Sequence, residues 1–296
     1  MKTFSKFMLS CALCLVTYGV QAQDSRTQVI DNGGSGSYKA IMASDSSLPT
    51  HTIFKPQDLS KFGPAQQLPI LVWGNGACAN SPYEHVNFLN EIASHGFLVV
   101  AIGPMPGEDE VKHELTSSKL LTDAIDWAIA QNSNKNSIYY QKLNIDKIAA
   151  AGMSCGGLQT LDICQDPRLK TVMICNSGLF LNPTQAIDGM PMPKKEKLNS
   201  IHTPIIYILG GETDIAYGNG MDDFKRINHV PAFVANFNVG HGGTYGKPNG
   251  GEFGVVATNW LLWQLKGDKT AEKMFAGAPC GLSKREGWTV DKKMIP

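Results

Sequence analysis

Six short apolar runs constrain this chain more than any other feature. They are Leu68–Trp73, Phe97–Ile102, Ile148–Ala151, Thr171–Cys175, Pro204–Leu209 and Ala232–Val239, and each runs out into a glycine-containing turn. The first of them, Leu68–Trp73, shows no alternation between apolar and polar residues, so it does not read as a strand with one wet face. Such runs belong to strands buried on both sides of a parallel sheet. The stretches between them carry helical spacing instead. Ser81-Pro82 suits a helix start, and Val86, Leu89, Ile92 and Ala93 follow on one face. Leu120, Leu121, Ala124, Ile125, Ala128 and Ile129 mark a second helix, residues 156–164 a third, and residues 254–265, with Trp260 and Trp263, a closing one. Alternating strands and helices predict an α/β fold, a mainly parallel central sheet with helices on both faces. Before these units, Tyr38–Met42 and His51–Phe54 read as an antiparallel opening joined by the turn Ser44–Pro49. Residues 23–37 read as a flexible entry segment and residues 38–296 as one domain. The proline-rich stretch 178–200 has the size of a small cap.

The first 22 residues are set aside from the fold. Lys2 and Lys6 form a basic start, Phe7 to Val20 is an apolar stretch too short to span a bilayer, and Val20-Gln21-Ala22 is a small-residue cleavage site. This layout predicts a signal peptide and an exported protein, periplasmic or extracellular, with no membrane anchor after cleavage. Removing Lys2 and Lys6 from 26 basic residues leaves 24 against 26 acidic ones. That balance offers no electrostatic footprint for nucleic acid. Cys11 and Cys14 leave with the signal, so five of seven cysteines remain, in a compartment where disulfides persist. Five is odd, and at least one thiol is left over. No close-spaced cysteine and histidine cluster suggests a metal, and no cofactor is expected.

The chemistry concentrates at Gly152-Met153-Ser154-Cys155-Gly156, which follows the run Ile148–Ala151 and leads into a helix. Glycine-serine-glycine spacing at a strand-to-helix turn is the pattern of a nucleophile elbow. A serine held on so sharp a turn has close neighbours on both sides, which only residues without a β-carbon accommodate. The helix that follows aims its first amides at any oxyanion formed beside the serine. A serine hydroxyl needs a base to take its proton, and the base needs an orienting carboxylate. His241 ends the last strand in Val239-Gly240-His241-Gly242, and Asp214 follows the strand before it in Gly210-Gly211-Glu212-Thr213-Asp214. Glu212 is the rival acid. Asp222 and Asp223 read as structural charges on a helix start, and the other histidines lie on helices or just before strands.

With Ser154, Asp214 and His241 in that order, each after a strand, the chain resembles the α/β-hydrolases over nearly all of its mature length. Within them it looks closest to the secreted dienelactone-hydrolase-like, chlorophyllase-like and cutinase-like or polyester-hydrolase-like branch. The resemblance implies a serine hydrolase that cleaves carboxylic esters, small or polymeric, through an acyl-enzyme. An acyltransferase or peptidase with the same triad, and a binding protein on a hydrolase scaffold, are the alternatives. It also implies an oxyanion hole made by two backbone amides, that of Cys155 and one from the loop after Trp73, Asn75 or Gly76, with Asn75 favoured by its place after Gly74. Trp73, Gly76, Tyr83, Tyr217 and Tyr245 are the expected pocket. The fold brings the Cys78 loop beside the elbow, which suggests a Cys78–Cys155 disulfide, with Cys164–Cys175 as a second pair and Cys280 alone.

Overall fold

Each of the six apolar runs forms a strand paired at both edges, and helices cover both faces of the sheet they build, which is why apolar side chains stand on either face. A computed structural model describes residues 26–105, 115–182 and 189–296; the expected signal peptide lies outside them. The chain runs β1 (Thr27–Gln28), β2 (Ala40–Ala43), β3 (His51–Pro56), β4 (Leu68–Gly74), α1 (Val86–Ser94), β5 (Leu98–Ile102), α2 (Lys119–Ser133), β6 (Leu143–Met153) and α3 (Cys155–Asp162). It continues through β7 (Leu169–Cys175), β8 (Ile205–Leu209), α4 (Tyr217–Arg226), β9 (Ala232–Phe237), α5 (Gly251–Lys266), α6 (Lys269–Phe275) and β10 (Trp288–Lys293). The strands make one sheet in the order β1-β2-β3-β5-β4-β6-β7-β8-β9-β10. From β5 to β9 every pairing is parallel, and antiparallel strands flank that centre on both sides. This is the α/β-hydrolase fold.

Side-chain alternation along each strand divides the core into two layers. Ile70, Val72, Ile148, Ala150, Val172 and Ile174 face the layer that also holds Leu121, Ile125, Leu158 and Phe224 from α2, α3 and α4. Leu71, Trp73, Ala149, Ala151, Met173 and Cys175 face the layer with Phe88, Ile92, Phe253, Trp260 and Phe275 from α1, α5 and α6. No helix among the described residues is long and apolar enough to cross a membrane.

Three details depart from the sequence expectation. Residues 26–37, expected as a flexible entry, are tied to α1: the Ser35 backbone and hydroxyl donate to Glu91, and Gly36 N donates to Ser94 Oγ at 2.9 Å. The C-terminal tail adds β10 to the free edge of β9. Its Asp291, Lys292 and Lys293 explain why it has no apolar run: charged side chains suit an edge strand. The third is Cys164–Cys175, which is corrected below.

The sheet, α3 and the elbow meet at glycines. A β-carbon placed on Gly156 would lie 2.0 Å from Gly74 O, and one on Gly152 would lie 2.2 Å from Gly156 C. We therefore expect Gly156→Ala to destabilise the protein by roughly 1–3 kcal/mol, as overpacking of a tight core does. Urea unfolding checks this; an unchanged midpoint would mean that β4 and α3 separate freely.

Candidate active site

Ser154 occupies the single residue between β6 and α3, at φ 52° and ψ −115°. Left-handed backbone at a residue with a β-carbon costs on the order of 1–3 kcal/mol and persists only where its surroundings enforce it. Here they do. Ser154 N–H donates to Cys175 O at 3.0 Å, and Ser154 O accepts from Gly157 N at 2.9 Å, Leu158 N at 3.2 Å and Ser177 Oγ at 2.6 Å.

The first four amides of a helix have no partner inside it. In α3, Gly156 N donates to Asn75 O at 2.9 Å, and Gly157 and Leu158 donate to Ser154 O. The fourth, Cys155 N–H, has no acceptor among the described residues and sits beside the serine. Opposite it, the amides of Asn75 and Gly76 are likewise unclaimed among the described residues. A β-carbon built on Gly76 would come within 4.0 Å of Ser154 Cβ. The loop is closed from below by the buried Asn75 side chain, whose Nδ2 donates to Ile102 O at 2.7 Å and Ala79 O at 2.9 Å. Trp73 Nε1 donates to Asn75 Oδ1 at 3.1 Å.

The loop after β9 brings His241 Nε2 to 3.0 Å from Ser154 Oγ, and His241 Nδ1 to 2.7 Å from Asp214 Oδ1. A carboxylate can only accept, so Nδ1 carries the proton and Nε2 is left to accept from the serine hydroxyl. The Asp214 side chain is fully buried. Burial alone would raise its pKa. Hydrogen bonds from His241, Ala216 N, Gly210 N and Asn176 Nδ2 outweigh that and hold it below the usual carboxylate value. The histidine loop is pinned to the acid loop through Val239 N and Gly240 N, which both donate to Gly210 O at 3.0 and 2.8 Å. This arrangement can deprotonate a hydroxyl as it attacks and stabilise the imidazolium that results. Glu212 is exposed and makes no such contact. Among the other histidines, His229 and His202 bond to the Ile201 and Asp166 carbonyls, His95 to Glu91, and His85 is buried. His113 lies outside the described residues.

A cavity of about 140 Å³ opens onto Ser154 and His241, lined by Leu158, Phe180, Met190, Ile215, Ala216 and Asn219 among others. None of the expected pocket aromatics is on it. Trp73 and Tyr245 are core side chains that pack with Phe88 and His85 in the α1–α5 layer. Tyr83 is 71% exposed on a 3-10 turn away from the cavity. Tyr217 lines a neighbouring, more polar depression with Glu212, Thr213 and Asn238. Gly76 does not line the cavity either; a β-carbon there would meet Met153 Sδ at 2.7 Å. The expected cap contributes through Gly178, Phe180 and Met190; residues 183–188 are outside the described part. That wall hangs on Asp223, expected only as a helix charge. It is buried, accepts from Leu179 N at 2.7 Å and is met by Lys195 Nζ at 2.6 Å. Burial pushes its carboxyl up to about 6 against the pull of Lys195.

Cys78 and Cys155 form a disulfide. It links the Asn75 loop to the first residue of α3, so both unclaimed amide sets share one covalent brace. The expected Cys164–Cys175 pair does not form, and both remain free. Cys164 lies in the core layer with α2 and α3, and Cys175 in the layer on the far side of the sheet. Cys175 ends β7, whereas Cys164 lies just past the C-terminal end of α3. Among the described residues, no three His, Cys, Asp or Glu side chains converge to hold a metal ion.

A family model described as PET hydrolase-like matches residues 41–180, which include Asn75, Cys78, Ser154 and Cys155 but neither Asp214 nor His241. No curated protein matches the chain. The cysteine arrangement has its own check. Alkylation of the denatured, unreduced protein should label Cys164, Cys175 and Cys280 and leave the Cys78 and Cys155 peptides linked. A labelled Cys78 peptide would contradict the brace.

Proposed function

With residues 41–180 belonging to the PET hydrolase-like branch of the α/β-hydrolases, we propose that the chain is an exported serine hydrolase that cleaves carboxylic esters through an acyl-enzyme. The observation that carries this reading is the unbroken line Ser154 Oγ, His241, Asp214, at 3.0 and 2.7 Å. In this mechanism His241 Nε2 takes the hydroxyl proton as Ser154 Oγ attacks the ester carbonyl. The carbonyl oxygen becomes an oxyanion that receives the N–H groups of Cys155 and Asn75. One such donor is typically worth about 10²–10³ in turnover. Collapse breaks the acyl–oxygen bond, and His241 returns its proton to the departing alkoxide. Water, deprotonated by the same imidazole, then attacks the acyl-enzyme and releases the acid and free Ser154.

Two features bear on the substrate. The cavity, about 140 Å³ and mostly apolar in lining, is close to the ~150 Å³ that holds a benzene ring, so it suits an aromatic or short aliphatic group. Its lip is apolar and open at Ile215, which is 81% exposed. That openness admits an ester carried on a small molecule or a polymer, and it admits water as the acyl acceptor, which favours hydrolysis over transfer. Export is supported by the Cys78–Cys155 disulfide, which persists in an oxidising compartment.

A panel of p-nitrophenyl esters of increasing acyl length tests the reading. Short and aromatic acyl groups should turn over best. Ser154→Ala should lower turnover on the order of 10⁴–10⁶, and Asp214→Asn on the order of 10⁴. Undiminished hydrolysis by Ser154→Ala would overturn the mechanism.

A further inference from the structure

Three successive residues at the end of β7 touch Ser154, Asp214 and the residue before His241, although none of them contacts the reacting atoms. Cys175 O accepts the Ser154 amide at 3.0 Å, and Ser177 Oγ donates to Ser154 O at 2.6 Å. Between them, Asn176 Nδ2 donates to Asp214 Oδ2 at 2.7 Å and to Gly240 O, next to His241, at 3.3 Å. Asn176 is fully buried and has a left-handed backbone at φ 41°, a conformation that asparagine tolerates better than most residues. Its amide cannot turn over. Asp214 Oδ2 and Gly240 O are acceptors only, so the NH₂ end must face them, and Oδ1 is left to take the Tyr245 O–H at 2.5 Å. Tyr245 is locked in place by Trp73, Phe88 and Phe253. Burial pushes its phenol well above the ordinary value, so the O–H stays a donor.

We infer that Asn176 is a positioning residue: held by Tyr245, it fixes the Asp214 carboxylate and the spacing between the acid and histidine loops, and so sets the angle at which His241 meets Ser154. The inference rests on the hydrolase reading and adds to it a residue that the triad pattern does not contain. The physical case is one of directions. Asp214 Oδ1 is committed to His241 and Ala216 N. Oδ2 has only Gly210 N at 2.9 Å besides Asn176. Without the asparagine, the carboxylate can rotate about its Cβ–Cγ bond until Oδ2 competes with Oδ1 for the imidazole. Gly240 O also loses a partner, which frees the residue before His241.

A double-mutant cycle on kcat tests this, with Asn176→Gly chosen because glycine accepts the left-handed backbone. Asn176→Gly should lower kcat about 10- to 100-fold, by analogy with outer hydrogen bonds that orient metal-bound imidazoles. KM should stay within about twofold. In an Asp214→Ala background the same substitution should change kcat by less than about twofold, because the group it positions is gone. Tyr245→Phe, which removes only the hydroxyl, should lower kcat about threefold or more and show the same dependence on Asp214; it carries the test if Asn176→Gly does not fold. Equal losses in both backgrounds, or full activity in Asn176→Gly, would overturn the inference. Ser154→Ala is run alongside. If it keeps activity the hydrolase reading fails, whereas an inert Ser154→Ala beside a fully active Asn176→Gly removes only the role of Asn176.

Discussion

The site depends on one close approach, that of the β4–Gly74 backbone to the first turn of α3. Gly74, Gly152 and Gly156 bring three pieces of main chain to distances that no β-carbon could share. That crowding leaves Ser154 nowhere to go but the strained φ 52° conformation, which lifts its hydroxyl clear of the sheet. The same approach sets the Asn75 loop against the start of α3, where Asn75 O accepts from Gly156 N and the Cys155 amide stays unclaimed. The Cys78–Cys155 disulfide fastens the two edges of this crossing. Strain, unclaimed amides and covalent brace thus arise from one packing event.

A second constraint is electrostatic. A fully buried carboxylate is costly unless it is hydrogen-bonded, and Asp214 has a donor on every side: His241, Ala216 N, Gly210 N and Asn176. Those donors come from three different loops, so the acid can be satisfied only when the ends of β7, β8 and β9 are all in place. The geometry that keeps it charged also fixes the proton on His241 Nδ1. Packing and proton placement are therefore not separable here.

Much of this was legible in the residues. The apolar runs located the central strands, and glycine spacing with Asp214 and His241 after later strands located the three side chains that the fold brings together. What stayed hidden depended on which face of the sheet a residue takes. Trp73 ends an apolar run near the elbow, yet its parity with Leu71 turns it into the α1–α5 core, where it holds Asn75 instead of lining the cavity. The same parity separates Cys175 from Cys164. Asn176 and Asp223 were missed for a different reason: each acts through a loop that is distant in sequence, and a single asparagine after a strand carries no periodic or motif signal. The β10 edge strand escaped because its charges suit an edge and erase the apolar pattern.

The central claim, that Ser154 is made nucleophilic by His241 and Asp214, is tested most directly by covalent labelling with a serine-directed phosphonate followed by peptide mass mapping. One adduct per chain is expected, on the peptide that contains Ser154, formed in step with loss of ester hydrolysis and abolished in His241→Ala. Modification at another residue, or continued ester hydrolysis with no adduct on Ser154, would contradict it.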